Sequence, residues 1–415
     1  MLTYLFVIFL LAMVMTKLWL AARQIRHVVT HRAAVPERFA STITLTDHQR
    51  AADYTVARTR LGMAEIFAQA VLLVAFTLLG GLNLLHIGVT EWLGEGYLGQ
   101  IALIAAVLLI SGLVDLPFTY VRQFVIEQRF GFNRMSLGLF IADMIKATAI
   151  GVLLGLPLLF AVLWLMERAG PLWWLYTWVV WVGFNLFVQF IFPHVIAPMF
   201  NKFEPLSDVS LAQRIEGLMQ RCGFAARGLF VMDGSKRSAH GNAYFSGFGR
   251  TKRIVFFDTL IERLSPAEIE AVLAHELGHF KRRHITKRLI VAFVLSLAFL
   301  ALLGWLIGRT WFYTDLGVMP SLTGSNNALA LVLFFLVLPV FGFFASPLGS
   351  LTSRKHEFEA DAFAASQTQA SDLVNALVKL YQDNASTLTP DPVYTAFYYS
   401  HPAASQRIDR LLGHA

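Results

Sequence analysis

Seven long apolar stretches dominate the sequence and restrict what the 415-residue chain can fold into. A helix needs about 20 consecutive apolar residues to cross a bilayer, and each stretch is long enough to do so. The composition agrees, because only 15% of the residues are charged, against about 25% in an average soluble domain. The high apolar content excludes a disordered chain, and the single cysteine, Cys222, excludes a secreted protein stapled by disulfides. The predicted membrane spans are approximately 2–21, 64–87, 97–118, 144–166, 172–195, 288–308 and 328–350.

Basic residues are concentrated in the loops on one side of these spans. The segment 23–63 contains seven arginines and 119–143 contains three, whereas 88–96 contains no lysine or arginine and 167–171 and 309–327 contain one each. Positively charged loops tend to stay in the cytosol. The sequence therefore predicts an N-terminus outside and a cytosolic C-terminus. The net charge of +7 is explained by this topology, so we expect no nucleic-acid partner.

The spans and the polar blocks between them divide the chain into four predicted parts. Residues 1–195 comprise membrane helices 1–5 with their cytosolic loops, and residues 288–350 comprise helices 6 and 7. Residues 196–287 and 351–415 form two polar segments, both of which we expect to face the cytosol. The predicted fold class is mainly α, a polytopic membrane protein with a cytosolic portion.

A well-capped helix is predicted in the first polar segment, where residues 265–280 read SPAEIEAVLAHELGHF. Ser265 suits the N-cap, Pro266 suits the first helical position, and Glu268 completes a capping box. Gly278 costs about 1 kcal/mol inside a helix, so we expect it to permit close packing against another element.

The same helix carries the motif HELGH, with histidines at positions 275 and 279. Residues four apart lie on one helix face, so the imidazoles of His275 and His279 can both reach one zinc ion. Glu276 follows the first histidine and can reach the attacking water, which makes it the natural general base. Two histidines on a helix can also be packed core residues, but the independent cap and the short, polar helix favour a metal site. The sequence predicts one zinc ion per chain.

A third protein ligand is expected in 353–366, which reads SRKHEFEADAFAAS and is predicted to be helical. Glu357 and Asp361 share a helix face, whereas Glu359 points about 160–200° away. One of the two carboxylates can bind the metal while the other accepts a hydrogen bond from a ligand histidine. Alone, Glu357 would be interpreted as an exposed partner of Arg354; beside the HELGH helix, the ligand interpretation is favoured.

Two further ionisable residues are assigned no part in the chemistry. If the helix continued, His284 would lie about 140° around it from His279. We therefore predict that the basic run 281–284 is an anchor at the membrane interface. Asp115, in the third span, is predicted to lie at a solvated helix end.

These motifs together resemble the type I CAAX prenyl endopeptidases, also called the CAAX prenyl protease 1 family. Its members are membrane zinc metalloproteases of the HExxH…ExxxD kind, and the resemblance extends over nearly the whole chain. Further matching segments are RFGFN at 129–133, FNKFEPL at 200–206, GNAYFSGFGRTKRIVFFDTLI at 241–261 and SHP at 400–402, followed by Arg407.

The resemblance implies a role for each matching residue. It implies that Asp361 contacts a ligand and that Glu276 is the base. It also implies three zinc ligands: His275, His279 and Glu357.

Four residues outside the metal motif also receive roles from the resemblance. Asn242 and Ala243 would belong to a strand that pairs with the substrate backbone. His401 and Arg407 would line the active site and stabilise the oxyanion. From the residues alone, Asn242 is equally typical of a turn beside Gly241, and the segment His401-Pro402 is typical of a helix start with a solvated histidine.

The resemblance also implies an architecture and a reaction. The seven transmembrane helices would enclose a hollow chamber, with a gluzincin-like α+β zinc protease domain at its cytosolic end. Family members cleave after the modified cysteine of farnesylated or geranylgeranylated CAAX motifs and release the last three residues. The expected partners are a peptide or protein substrate, including a prenylated C-terminus, and the lipid bilayer. We expect a monomer in the bacterial inner membrane or the endoplasmic reticulum.

Two other functions remain as alternatives, and a third is excluded. A protease for membrane-protein quality control shares HExxH, but such proteases usually have fewer spans. A transporter with a vestigial metal site is disfavoured because all of the ligand and base residues are present. A site-2-type intramembrane protease places HExxH inside a long apolar span, whereas here Arg263, Glu268, Lys281 and Arg282 bracket the motif.

Overall fold

The protein is mainly helical with one small sheet. The computed structural model describes residues 1–224, 228–246, 253–322 and 324–413. The helices are α1 (Leu2–Thr30), α2 (Leu45–Phe76), α3 (Gly81–Leu93), α4 (Tyr97–Tyr120), α5 (Leu137–Arg168), α6 (Trp173–Ile191), α7 (Ala197–Phe200), α8 (Val209–Arg221), α9 (Asp258–Arg263), α10 (Pro266–Lys281), α11 (His284–Leu306), α12 (Thr310–Thr314), α13 (Asn327–Gly342), α14 (Ser346–Gln367), α15 (Ala370–Asp383), α16 (Pro392–Tyr398) and α17 (Ala404–Leu411). The strands are β1 (Phe203–Pro205), β2 (Leu229–Met232), β3 (Ala243–Ser246) and β4 (Arg253–Phe257).

Within the described residues, seven helical runs are long and apolar enough to cross a membrane, which confirms the predicted number. Several of them are longer than the apolar stretches, because helices continue into polar segments where hydropathy no longer marks them. The runs are Leu2–Thr30, Leu45–Phe76, Tyr97–Glu127, Leu137–Arg168, Gly170–Phe200, His284–Leu306 and Asn327–Gln367.

The second span was wrongly predicted at 64–87. Helix α2 ends at Phe76, and the chain turns through Gly80 before α3 begins at Gly81. Gly80 has a φ of 74°, a left-handed conformation that glycine adopts without the steric penalty of a Cβ atom. The apolar residues after Phe76 therefore form a separate helix, and the span instead extends back to Leu45.

The seventh span is continuous with the helix that carries the predicted third ligand. Helix α13 passes through a single 3₁₀ turn, Phe343–Ala345, into α14 without a loop. The segment 353–366, predicted to be helical, lies inside α14. Side chains on α14 are thereby fixed relative to the membrane helices.

A four-stranded sheet lies beside the metal-motif helix. Its strand order is β1-β2-β4-β3, with β2 and β4 parallel and the other two pairings antiparallel. Buried apolar residues of the sheet, α8, α10 and α15 form one core, which includes Ile215, Phe256 and Leu277. Strand β3 forms one edge of the sheet and contacts α10. Residues 247–252, part of the segment that resembles the family, lie outside the described residues.

A cavity of about 840 Å³ lies among α1, α2, α4, α13 and the C-terminal segment. Polar and aromatic side chains line it, including Gln69, Arg122 and Tyr399. Asp115 was predicted to lie at a solvated helix end, but α4 continues past it into a π-helical segment, Val121–Glu127. Its Oδ1 atom accepts a hydrogen bond of 2.5 Å from Gln69 Nε2, so Asp115 joins α4 to α2.

Candidate active site

Helix α10, which carries HELGH, begins at the predicted capping box. The Ser265 hydroxyl accepts a hydrogen bond from the Glu268 backbone N–H, and the Glu268 carboxylate accepts one from the Ser265 backbone N–H. Lys379 Nζ on α15 donates a second hydrogen bond, of 2.7 Å, to the Glu268 carboxylate. The start of α10 is therefore fixed both locally and by α15, which positions the histidines about three to four turns further on.

Helices α10 and α14 pack against each other at Gly278. A Cβ atom built on Gly278 would lie 2.9 Å from Ala360 Cα, closer than real Cβ atoms approach, and 3.0 Å from Ala360 O, which is also unusually tight. The expected role of Gly278 in close packing is confirmed. This contact brings Glu357 and Asp361, which flank Ala360 on α14, to the face of α10 that carries the histidines.

Three candidate ligand atoms converge at this contact. His275 Nε2 lies 3.2 Å from His279 Nε2 and 3.4 Å from Glu357 Oε2, while His279 Nε2 lies 3.2 Å from Glu357 Oε1. All three side chains are buried. In the described part of the chain, this is the only group of three or more such side chains close enough to hold a metal ion.

The donor set fits zinc in chemistry and in spacing. Imidazole nitrogen and carboxylate oxygen are common zinc ligands, at about 2.0–2.2 Å from the ion, and two ligands of a tetrahedral ion are then about 3.3 Å apart. Glu357 Oε2 is buried and has no hydrogen-bond donor among the described residues. A buried carboxylate oxygen without a donor is costly, and a cation between the three side chains would satisfy it. The suggested alternative partner of Glu357, Arg354, instead donates to the carbonyl oxygens of Thr395 and Tyr399.

Asp361 and Arg407 support His275 on the side of its ring that faces away from Glu357. Asp361 Oδ1 lies 2.8 Å from His275 Nδ1, the nitrogen that faces away from Glu357. Arg407, which is buried on α17, donates from Nε and Nη2 to both carboxylate oxygens of Asp361, at 2.8 and 2.5 Å. Its Nη1 atom lies 3.9 Å from Glu357 Oε2. A bidentate pair of this kind fixes the orientation of the carboxylate, and through it the orientation of the imidazole.

Glu276 lies beside the ligand histidines, with its side chain partly exposed. Its carboxylate makes no hydrogen bond or ion pair with any part of the chain that the structure describes. Burial raises the pKa of Glu276 above its ordinary value, and repulsion from Glu357 adds to this, against the attraction of the two histidines. A raised pKa increases the basicity of the carboxylate, which suits a group that accepts a proton from water.

His401 is at the open side of the site. Its Nε2 atom lies 3.5 Å from Glu357 Oε1, its Nδ1 atom lies 2.9 Å from Ser400 Oγ, and its side chain is 62% exposed. The structure therefore brings His401 to the metal-binding side chains while leaving it accessible to a substrate.

Asn242 and Ala243 lie at the start of the edge strand β3. Asn242 is exposed, and its side-chain Oδ1 accepts a hydrogen bond from the Ala243 backbone N–H. The Phe257 backbone N–H donates to the Asn242 carbonyl oxygen, which fixes the alternation of hydrogen bonds between β3 and β4. With this alternation, the backbone groups of Ala243 and Phe245 point away from β4. Phe245 was not singled out from the sequence; a strand prediction with its pairing register would have been needed to find it.

His284 is not where the sequence placed it. The prediction assumed that α10 continued through residue 284, but α10 ends at Lys281 and Arg283 has a φ of 56°. His284 consequently turns back and is fully buried, with Nδ1 3.0 Å from His279 Nδ1 and Nε2 3.0 Å from Glu359 Oε2. His284 is therefore not an interface anchor, and Glu359, which the sequence placed away from the metal ligands, contacts His284.

Comparison with known proteins identifies the family. The model for the CAAX prenyl protease N-terminal region, with five membrane helices, matches residues 24–202. The model for peptidase family M48 matches residues 205–415, about half of the chain, and this segment contains every residue of the site described above. The chain belongs to peptidase family M48.

Relatives and a solved structure support this assignment over most of the chain. The chain is 41% identical over 318 residues to "CAAX prenyl protease 1 homolog" of Arabidopsis thaliana, covering 76% of this chain and 74% of that protein. It is 39% identical over 319 residues to "CAAX prenyl protease 1" of Saccharomyces cerevisiae, covering 73% and 69%. The crystal structure of S. mikatae Ste24p has a TM-score of 0.91 and 30% identity, covering 99% of this chain and 98% of that one. This M48 peptidase is therefore a multi-pass membrane metalloprotease that acts on protein substrates.

Proposed function

We propose that this M48 peptidase is a zinc endopeptidase that cleaves prenylated CAAX C-termini and releases their last three residues. The observation that carries the proposal is the convergence of His275, His279 and Glu357 within ligand distance of one ion. The substrate class is taken from the relatives, whose names describe CAAX prenyl proteases.

His275, His279 and Glu357 would hold one zinc ion per chain. Zinc bound there would act as a Lewis acid on the scissile carbonyl and lower the pKa of the attacking water. Asp361 holds the Nδ1 side of His275, which leaves Nε2 with the lone pair that a ligand needs.

Glu276 would act as general base and then as general acid. Its carboxylate accepts a proton from the attacking water as the tetrahedral intermediate forms, and donates it to the leaving amine as the peptide bond breaks. The burial that raises its pKa makes the carboxylate a stronger base for the first of these steps, and the proton gained there is the one passed to the leaving amine.

The oxyanion is assigned to His401 in preference to Arg407. His401 is exposed next to Glu357, and a neutral or protonated imidazole can donate a hydrogen bond to the developing charge. Arg407 donates both Nε and Nη2 to Asp361, so its main role would be to position that carboxylate. Arg407 would therefore affect the reaction indirectly, by orienting Asp361 and through it His275.

Substrate backbone would pair with the edge strand β3. The backbone groups of Phe245 and the backbone carbonyl of Ala243 face outward and can extend the sheet by one strand. The Ala243 N–H already donates to Asn242 Oδ1, so the Asn242 side chain marks one end of this pairing edge. Strand addition reads the peptide backbone rather than its side chains, which suits a protease that cuts many proteins at one distance from their C-termini.

The cavity among the membrane helices would receive the prenyl group of the substrate, which is attached beside the cleaved bond. Its lining includes Tyr399, two residues before His401, so the cavity approaches the segment that contributes to the active site. Its volume of about 840 Å³ is within the usual range of pockets that bind small molecules and cofactors.

The topology and the partition of the chain complete the proposal. The N-terminus would lie outside and the catalytic site would face the cytosol, in a bacterial inner membrane or the endoplasmic reticulum. Residues 196–287 and 351–415 would form the cytosolic protease portion between and after the membrane parts 1–195 and 288–350. The protein would act as a monomer without nucleic acid.

The test uses three substrates, each with and without a zinc chelator: a farnesylated CAAX peptide, the same peptide without the farnesyl group, and an unfolded membrane protein. We expect cleavage of the farnesylated peptide three residues from its end, abolished by the chelator and restored by added zinc. Glu276→Gln serves as the inactive control. Preferred cleavage of the unfolded membrane protein would replace the proposal with a quality-control function, and activity that resists metal removal would contradict the zinc mechanism.

A further inference from the structure

The two candidate ligand histidines have different supports. His275 has the carboxylate of Asp361 beside its Nδ1 atom, at 2.8 Å. Among the described residues, no carboxylate contacts Nδ1 of His279; that atom lies 3.0 Å from Nδ1 of another histidine, His284. The next contact in the series is between His284 Nε2 and Glu359 Oε2, also at 3.0 Å.

The positions of the protons in this series follow from one requirement. His279 faces Glu357 and His275 through Nε2, so that nitrogen must carry the lone pair if it binds a metal, and Nδ1 must carry the hydrogen. His279 Nδ1–H then donates to His284 Nδ1, which must be unprotonated to accept. The remaining hydrogen of a neutral His284 is on Nε2, and it donates to the Glu359 carboxylate. Each contact in the series thus has one donor and one acceptor.

The surroundings hold His284 in this position. Its side chain is completely buried, and its ring stacks on His356 of α14 with a centroid distance of 3.9 Å and an interplanar angle of 10°. It is also the first residue of α11, immediately after the left-handed turn at Arg283. The ring is therefore held by His356 on one face and by contacts at its two nitrogens, as is needed to orient a neighbouring ligand.

We propose that His284 is a positioning residue for His279, and that Glu359 orients His284 in turn. The inference rests on the proposed function in one respect, namely that His279 binds zinc. The series fixes the tautomer and the ring direction of His279, as the Asp361–Arg407 pair does for His275. The two histidines of the metal site are then supported differently: a carboxylate orients His275, and an imidazole orients His279.

The direct test measures zinc affinity by competition with a chromophoric chelator. His284→Leu keeps most of the bulk but cannot accept the hydrogen bond, and we expect zinc affinity to fall about 10–100-fold, the usual effect of removing a partner of a ligand histidine. His284→Asn places an amide oxygen near the position of Nδ1 and should recover most of that loss. Glu359→Ala should give a smaller loss than His284→Leu, because it acts one contact further away.

Two matched controls separate this role from general damage. His194→Leu replaces an exposed histidine on another element, and Glu216→Ala replaces an exposed carboxylate on α8. Both should bind zinc as the unaltered protein does. The melting temperature of the metal-free protein shows whether a variant loses structure rather than metal affinity.

The outcomes distinguish a failure of the role proposed for His284 from a failure of the zinc-ligand set on which that role rests. Wild-type zinc affinity in His284→Leu, with His279→Ala losing the metal, would overturn the role of His284 and leave the proposed function intact. Zinc retention in His279→Ala would instead contradict the ligand set itself. If the metal-free protein unfolds early in both His284→Leu and His284→Asn, His284 supports the fold and not the ligand. If the two variants lose affinity equally without unfolding early, the proposed hydrogen bond from His279 to His284 is overturned.

Discussion

Replacing Gly278 by alanine tests whether the metal site depends on the close approach of α10 and α14. The added Cβ would lie 2.9 Å from Ala360 Cα, whereas ordinary contacts begin at 3.4 Å, so the helices must separate by about 0.5 Å. The neighbouring atoms are backbone or close to it and cannot rotate away, since the next contacts are Ala360 O at 3.0 Å and Phe363 Cβ at 3.1 Å.

The effect on folding and the effect on the metal site should differ in size. Overpacking costs about 1–3 kcal/mol, and alanine is about 1 kcal/mol better than glycine inside a helix, so stability should fall by about 0–2 kcal/mol. The metal site is more sensitive, because Glu357 moves with α14 while both histidines stay on α10. We expect zinc affinity to fall about 10–100-fold, as it does when the support of a ligand is lost.

Chelator competition and thermal unfolding of the metal-free protein measure the two effects separately. Gly217→Ala on α8 is the matched control, because its Cβ would lie 3.6 Å from the flexible end of Arg221, an ordinary contact. That variant should keep full zinc affinity and gain a little stability. Unchanged zinc affinity in Gly278→Ala would refute the argument that the helix contact sets the ligand geometry.

Three further predictions address the base, the third ligand and the topology. Glu276→Gln should bind zinc normally but lose about 10²–10⁴-fold in kcat, and turnover near that of the unaltered enzyme would exclude Glu276 as the base. Glu357→Ala should lose the metal on dialysis, whereas Asp361→Asn should hold it about 10–100-fold more weakly; the reverse order would exchange their roles. Cysteine reporters in 23–63 should react only from the cytosol, and labelling of a reporter at 90 from that side would contradict the orientation.

The sequence was sufficient to predict the number of membrane-capable helices and the candidate metal ligands, for physical reasons that are local. A bilayer sets a minimum length of apolar chain, so composition alone reveals a span. The HELGH spacing and the capping box are also local, because each depends on residues within one or two helical turns. Glu357 and Asp361 could be paired with HELGH once the segment around them was interpreted as a helix.

The boundaries and the contacts between elements could not be predicted in the same way. Hydropathy did not reveal that Gly80 interrupts an apolar stretch, because a left-handed turn changes the chain direction and not its polarity. The turn at Arg283 had the larger consequence: one residue with a positive φ brought His284 against His279 and invalidated an argument based on a constant angle per residue. The contact of Glu359 with His284 depends in turn on how α14 crosses α10, which no local pattern encodes.

The central claim is that one zinc ion is bound by His275, His279 and Glu357, and crystallography at the zinc absorption edge tests it most directly. An anomalous difference map of the zinc-loaded protein should show one peak per chain, within bonding distance of His275 Nε2, His279 Nε2 and a carboxylate oxygen of Glu357. The Glu357→Ala protein, prepared in parallel, should show that peak weakened or absent. A full-strength peak at another place in the chain, or one at the histidines that persists unchanged without Glu357, would contradict the account.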